Sequence, residues 1–215
     1  MQNKHLILGY GEVGKAIYKI VKGAYIIDFN VDNYRCESVD FIHICIPYTK
    51  DFNEIVEQYK EFGLVICHST VPIGTCDKLG IVHSPIRGVH PHLEKGIRIF
   101  PKYFGGKRAK EAAKMFKELG LKVKVFKDAK TTEALKLWDT TQYGRLIMLE
   151  KEIYIWCKKN KIDFDAIYTQ ANKDYNEGYI KLGRPEVVRP YLKHIEGKIG
   201  GHCILPNAKL LEVKL

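Results

Sequence analysis

No apolar run in the chain approaches the roughly 18 residues that a membrane-spanning helix needs. The first residues, Met1-Gln2-Asn3-Lys4-His5, lead straight into a short apolar strand, without the cleavage pattern of a secretion signal. A soluble, cytoplasmic protein is expected. None of the six cysteines (Cys36, Cys45, Cys67, Cys76, Cys157 and Cys203) forms a C-x-x-C pair, and zinc-finger spacing is absent. Without a secretion signal these thiols are expected to stay reduced. Cys45 and Cys67 lie inside apolar runs and read as small buried hydrophobes. RNA-binding aromatic signatures, internal repeats and low-complexity tracts are missing as well.

What is present is a basic chain of 215 residues with a formal net charge of +10. That length permits one large α/β domain, or a nucleotide-binding domain followed by a helical extension. A positive balance draws either nucleic acid or phosphorylated small molecules. The lysines, however, are spread through amphipathic stretches such as 107–117 and 158–161, which read as solvated helix faces. Nucleic acid is therefore an unlikely partner, and a phosphorylated small molecule the better one.

The first half alternates between strand and helix signals. Strands are expected at 5–8, 24–28, 41–46, 64–67, 81–84, 103–105 and 122–126. Helices are expected at 11–22, 51–62 and 107–119, with a short helix or turn at 75–80. Strands separated by helices imply an α/β fold with a Rossmann-type, doubly wound parallel sheet. The second half differs. One long helix is expected over 131–160, with Gly144 as its weak point, then a helix over 163–177, a loop-rich stretch, and a short helix over 206–213. A boundary near 127–131 divides a Rossmann domain, 1–128, from a small helical region, 129–215.

The loop Gly9-Tyr10-Gly11-Glu12-Val13-Gly14 fits G-x-G-x-x-G. It follows a strand, opens a helix, and is answered by Asp28 at the end of the second strand, about 20 residues on. Gly9 allows the tight turn, Gly11 leaves room for a pyrophosphate, and Gly14 lets helix and strand pack closely. The helix N-terminus offers unpaired N–H groups to the phosphates. Asp28 accepts hydrogen bonds from ribose hydroxyls and repels a 2′-phosphate, and no arginine follows it before Arg35. The cofactor expected is NAD rather than NADP.

Four segments then resemble the UDP-glucose/GDP-mannose (nucleotide-sugar) dehydrogenase family. They are the glycine loop; the strand Asp40-Phe41-Ile42-His43-Ile44-Cys45-Ile46-Pro47; His68-Ser69-Thr70-Val71-Pro72-Ile73-Gly74-Thr75, close to S-T-V-P-x-G-T; and Gly200-Gly201-His202-Cys203, like G-G-H-C. Between them, Thr132-Glu133-Ala134-Leu135-Lys136-Leu137 is similar to that family's A-E-x-x-K-L. The resemblance implies two successive NAD-dependent oxidations of an alcohol, with a cysteine capturing the aldehyde as a thiohemiacetal and water hydrolysing the later thioester. It makes Cys203 the nucleophile, placed before a short helix whose N-terminus favours a thiolate. It makes Lys136 the oxyanion-stabilising group, and Thr70 a residue that places water or substrate. Pro47, Ser69 and Thr70 join Gly9, Tyr10, Gly11, Glu12, Val13, Gly14 and Asp28 around the cofactor. Arg87, His90, Thr140, His202 and Asn207 are the substrate-side candidates.

The departures from that pattern are specific. Where the family reads S-P-E, this chain reads Ser84-Pro85-Ile86, and Ile86 cannot activate water. His90 stands where many members have a second glutamate. Thr140 replaces the family asparagine and Asn207 the family aspartate. The second Rossmann-like domain that holds the sugar nucleotide has no counterpart, so a shortened form is expected. His90 and His92 are spaced like metal ligands but have no third ligand nearby, and no metal is expected. The leading reading is an NAD-dependent oxidoreductase acting on a sugar nucleotide or related phosphorylated alcohol. The alternatives are a simple two-electron dehydrogenase of the 3-hydroxyacid or 6-phosphogluconate type, and a non-catalytic NAD-binding regulatory protein. The apolar stripe Leu135, Leu146, Ile147, Leu149, Ile153 and Trp156 lies on the helix 131–160. The resemblance makes that helix the interface of a homodimer.

Overall fold

A computed structural model describes residues 3–35, 38–199 and 203–214. The chain divides into two compact units, Met1–Lys136 and Leu137–Leu215.

The first unit is built on strands β1 (His5–Leu8), β2 (Tyr25–Asp28), β3 (Val31–Asp32), β4 (Phe41–Ile44), β5 (Leu64–Cys67), β6 (Val82–His83), β7 (Lys102–Gly105) and β8 (Val123–Phe126). They form one sheet in the order β3-β2-β1-β4-β5-β6-β7-β8. β1 runs parallel to both β2 and β4, so the strand order reverses beside β1, where an α/β sheet opens a crevice for ligand. Helices α1 (Glu12–Val21), α2 (Phe52–Tyr59), α3 (Thr75–Leu79), α4 (Leu93–Ile99) and α5 (Ala109–Glu118) connect the strands.

Side chains alternate across the pleat. Ile7, Phe41, Ile66 and Phe104 enter one core with Ile17 and Ile20 of α1 and Phe116 of α5. Leu6, Leu8, Ile42 and Ile44 enter the other with Phe52 and Val56 of α2. Each fully buried aliphatic or aromatic side chain contributes about 1.5–3 kcal/mol, so both faces are held by the same mechanism.

Three features depart from the sequence expectation. β3 is a two-residue strand antiparallel to β2, and both its residues are exposed, so it carries no alternation to read. α4 occupies a stretch, 93–99, for which no helix was expected. A Cβ on Gly96 would lie 2.5 Å from the Gly88 Cα, so close backbone approach requires glycine there. β7 runs antiparallel to β6, a reversal that no periodicity records.

Helix α6 (Ala129–Asn160) begins two residues before the expected start. Asp128 accepts from the Thr131 N–H at 2.9 Å, and Asp77 accepts from the Ala129 and Lys130 N–H groups at 2.9 and 3.0 Å. Two carboxylates thus satisfy the orphan donors of the first turn. The helix runs unbroken through Gly144.

In the second unit a π-helical turn, Asp165–Gln170, leads into α7 (Ala171–Lys181), and α8 (Ile204–Leu210) starts two residues earlier than expected. The loop-rich stretch is pinned to the helices. Asn176 exchanges two hydrogen bonds with Arg189, the Leu192 N–H donates to the Tyr168 hydroxyl, and His194 pairs with the buried Glu150. Among the described residues no helix is long and apolar enough to cross a membrane.

Candidate functional site

The glycine loop has the geometry its sequence implies. Gly9 has φ of +90°, a left-handed conformation, and a Cβ there would lie 2.9 Å from the Cys45 carbonyl. A Cβ on Gly14 would meet the Gly9 carbonyl oxygen at 2.0 Å, so α1 can lie against the loop only with glycine at that place. A Cβ on Gly11 would meet nothing within 4 Å, which leaves open space beside the first turn of α1. Tyr10 and Val13 are half-buried on either side. Asp28 closes β2 and accepts from the Tyr10 N–H with one oxygen and from the Phe29 N–H at 2.6 Å with the other. Each carboxylate oxygen has a second lone pair, so Asp28 anchors the loop and keeps acceptor capacity for a diol. A dinucleotide fits these groups: open space at Gly11, N–H donors at α1, a carboxylate at the end of β2.

Glu12 and His90 come together as a hydrogen-bonded pair between the glycine loop and the loop before α4. Arg87 lies over the rings of Phe100 and Tyr103, with its carbon 5.0 and 5.2 Å from their centroids, and donates to the Tyr103 hydroxyl at 3.2 Å. Pro47 is exposed just beyond β4. The Ser69 hydroxyl donates to the Ile46 carbonyl at 2.6 Å and so clamps the turn that presents Pro47. Thr70 follows half-buried.

Two of the quoted motifs turn out to be one physical unit. Glu133 is 1% exposed and accepts from the N–H groups of Gly74 and Cys76, the latter at 2.8 Å. Its carboxylate caps α3 and ties the first turns of α6 to the His68–Thr75 loop. Burial raises its pKa, and these hydrogen bonds oppose the rise. One turn later on α6, the Lys136 ammonium donates to the Ile86 carbonyl at 3.0 Å.

The two preceding carbonyls are held by a lysine that sequence reasoning passed over. Lys102 is 3% exposed, and its Nζ donates to the carbonyls of Ser84 at 2.9 Å and Pro85 at 3.3 Å. Burial pushes its pKa down to about 7. Sequence reasoning also missed the histidines beside it. His5, His43, His68 and His83 are all buried. The only sequence signal is a histidine recurring inside otherwise apolar strands.

In the second unit, Cys203 is the residue before α8 and is half-buried. The Asn207 amide donates to the Thr140 hydroxyl at 2.8 Å. Two of the four positions that depart from the resembled family are therefore bonded partners, and they dock α8 on α6. His202 lies outside the described residues. Among the described residues, no group of three or more His, Cys, Asp or Glu side chains is placed to hold a metal ion.

No protein-family profile matches the sequence, and no curated protein matches it. Solved structures do. UDP-D-ManNAc dehydrogenase from Pyrococcus horikoshii superposes with a TM-score of 0.73 at 18% identity, over 96% of this chain and 63% of that one. NDP-N-acetyl-D-galactosaminuronic acid dehydrogenase from Methanosarcina mazei gives 0.71 at 17%, over 98% and 60%. The chain shares the fold of the nucleotide-sugar dehydrogenases. It spans less than two thirds of the length of these two structures. A 3-hydroxyisobutyrate dehydrogenase from Mycobacterium tuberculosis gives 0.62 at 15%, over 89% of this chain and 77% of that one.

Proposed function

We propose that the chain is an NAD-dependent dehydrogenase that oxidises an alcohol of a sugar nucleotide or related phosphorylated substrate. The observation that carries this reading is the join between the two halves of the first unit. The glycine loop, anchored by Asp28, stands on the same sheet as the loop 84–86, whose last carbonyl holds Lys136. NAD supplies the electron acceptor when bound. Gly11 admits the pyrophosphate, the N-terminus of α1 donates to it, and Asp28 takes the ribose hydroxyls. Lys136 stabilises the alkoxide as the hydroxyl loses its proton, with Thr70 positioning the reacting group. Cys203 carries over from the resemblance as the nucleophile that captures the carbonyl product.

The test is NADH formation against a panel of UDP-, GDP- and simple phosphosugars, with Lys136→Met as the control. Turnover abolished by that substitution is expected. NAD binding without turnover on the whole panel would leave the regulatory reading instead.

One observation favours a two-electron reaction of the 3-hydroxyacid type over the four-electron one. The Ile86 side chain is 5% exposed and packs in the core with Leu93 and Ile97. It offers no carboxylate to activate water for thioester hydrolysis. One NADH per substrate is the outcome on that reading, and two on the other. Cys203→Ala distinguishes them further: it abolishes acid formation only where a thioester forms.

The homodimer reading is supported by α6. Leu135, Leu149 and Trp156 are exposed, Leu146, Ile147 and Ile153 are half-buried, and none of the stripe is fully covered. A second copy of the chain is the proposed cover, and sedimentation at micromolar concentration tests it.

A further inference from the structure

A line of hydrogen-bonded imidazoles crosses the first unit diagonally. His5 Nδ1 lies 3.1 Å from His43 Nε2, and His43 Nδ1 lies 3.0 Å from His68 Nε2. His68 Nδ1 is 2.7 Å from the Ser84 carbonyl and 3.3 Å from the Lys102 ammonium nitrogen. The strand register creates the line. Ile7 of β1 faces His43 of β4, and His43 faces Ile66 of β5, so the three histidines advance along the strand direction as they cross from strand to strand. His5 opens β1, at the opposite edge of the sheet from loop 84–86, and keeps 5% of its surface exposed; His43 keeps none.

The contact with the Ser84 carbonyl sets the tautomers of one state. A carbonyl can only accept, so the 2.7 Å contact makes His68 a donor at Nδ1. Its Nε2 then accepts from His43 Nδ1, and His43 Nε2 accepts from His5 Nδ1. All three rings carry their proton on Nδ1 and point it the same way, toward Lys102. The opposite polarity needs one exchange of partner: His68 Nδ1 gives up the Ser84 carbonyl, which keeps its N–H from Lys102, and accepts from Lys102 instead. With Lys102 charged and donating to His68 Nδ1, each ring carries its proton on Nε2 and points it back toward His5. One proton separates the two states. It adds at His5 Nε2; His5 Nδ1–H passes to His43, His43 Nδ1–H to His68, and His68 Nδ1–H to Lys102. Apart from the His68–Ser84 hydrogen bond, which gives way to the one from Lys102, no other bond changes.

The surroundings keep this path dry. Phe116 of α5 meets the His43 and His68 rings edge-on at 5.9 and 6.0 Å, and Lys102 lies 5.5 Å from the Phe116 ring and 5.7 Å from that of Phe104. The titratable groups that face Lys102 are Cys45 and Cys67 from the ends of β4 and β5, and Lys136 from α6. His83 of β6 faces His68, and Asp40 faces His5. Burial keeps the Cys45 thiol protonated, and α5 presents rings there rather than charge.

We propose that His5, His43 and His68 are a proton relay through which the sealed Lys102 exchanges its proton with solvent at the far edge of the sheet. Lys102 is then a positioning residue. It holds the Ser84 and Pro85 carbonyls beside the one that holds Lys136, and its change of charge biases Lys136 through the same loop. The use of the relay in turnover rests on the dehydrogenase reading; the relay itself rests on the hydrogen bonds alone.

The test uses the intact protein without cofactor or substrate. Histidine is labelled with 15N, and the protonated ring nitrogen of each residue is identified by NMR across neutral pH. Nδ1–H is expected for His5, His43 and His68 in the alkaline range and Nε2–H in the acid range, all three switching at one midpoint. Lys102→Met removes the terminal acceptor and should hold all three at Nδ1–H across that range. Tautomers that stay fixed in the native chain, or that switch at three separate midpoints, overturn the relay. If Lys102→Met fails to fold, His43→Phe breaks the line and should abolish the shared midpoint. In turnover, Lys102→Met should remove the limb of the kcat profile near neutral pH with KM unchanged, and an unchanged profile overturns the positioning role. A shared switch without turnover on any substrate would refute the dehydrogenase reading and leave the relay standing.

Discussion

Four imidazoles buried in neutral form make the first unit sensitive to acid, by an amount that can be worked out. Burial lowers His5 to about 4 and His83 to about 3, and holds His43 and His68 well below the ordinary 6.5. Each folded-state pKa lies below the unfolded value, so the unfolded chain binds more protons between the two. The stability these residues permit is complete above about pH 6.5 and is lost as pH falls toward 4 and 3. At pH 5 the unfolded imidazoles of His5 and His83 each gain about 2 kcal/mol by protonating, at about 1.4 kcal/mol per pH unit. The two remove roughly 4 kcal/mol, against a total stability of about 5–15 kcal/mol for a typical domain, and His43 and His68 add to the loss in the same direction. The local slope from the first two is roughly 3 kcal/mol per pH unit, an uptake of about two protons on unfolding. Lys102 acts in a different window with the same sign. Its pKa falls from 10.5 to about 7, so stability rises further, by up to about 5 kcal/mol, as pH climbs through that interval. The assay is urea unfolding at a series of pH values, read by NMR at the Ile42, Ile44 and Ile66 amides. Tryptophan fluorescence is the wrong probe, because Trp138 and Trp156 both belong to the second unit. An uptake of one proton or fewer between pH 6 and 5 would refute the assignment of these histidines as neutral.

Other outcomes follow from single contacts. Gly14→Ala should destabilise the first unit by about 1–3 kcal/mol through its clash with the Gly9 carbonyl, whereas Gly11→Ala should leave the thermal midpoint unchanged and weaken NAD binding; calorimetry and titration separate the two. Glu133→Gln turns one acceptor of the α3 cap into a donor, and thermal unfolding should register a loss of about 1–3 kcal/mol. Thr140→Val and Asn207→Leu each break the bond between α6 and α8, and a double-mutant cycle should return a coupling of about 1 kcal/mol. His194→Leu strands the Glu150 carboxylate, which is 2% exposed, and should cost about 3 kcal/mol or more, with much of the loss recovered by adding Glu150→Gln.

The glycine loop was legible because its chemistry is local. A turn, a close approach and a helix start fall within six residues, and Asp28 closes the next strand. The long helix was legible from its apolar stripe, although Asp128 and Asp77 start it two residues early. Glu133 was visible as a motif letter but not as a cap, because its partners Gly74 and Cys76 are far away in sequence. The histidines were invisible for a sharper reason. One histidine in an apolar strand is unremarkable, and what joins His5, His43 and His68 is the register of three parallel strands. Lys102 was passed over because it lies just before the expected strand 103–105. The reversal of β7 sets it beneath loop 84–86, and local sequence carries no sign of that reversal.

Loop 84–86 shows what the departures from the resembled pattern amount to. Its three successive carbonyls are held by two ammonium groups, Lys102 on Ser84 and Pro85 and Lys136 on Ile86. The backbone is thus fixed in the way a site needs, while the side chain at position 86 is turned into the apolar core beside Leu93 and Ile97. A carboxylate at that place would be desolvated among aliphatic groups at a cost of several kcal/mol, so it could not be restored without rebuilding α4 and the core around it. The same loop that keeps Lys136 in position has therefore given its third side chain to packing. At Thr140 and Asn207 the exchange is of the same kind, two neutral groups bonded to each other in place of an amide and an acid. Both changes keep the framework and remove ionisable groups that later steps of a four-electron oxidation require. On the dehydrogenase reading proposed above, those losses favour a single transfer of two electrons over the four-electron course.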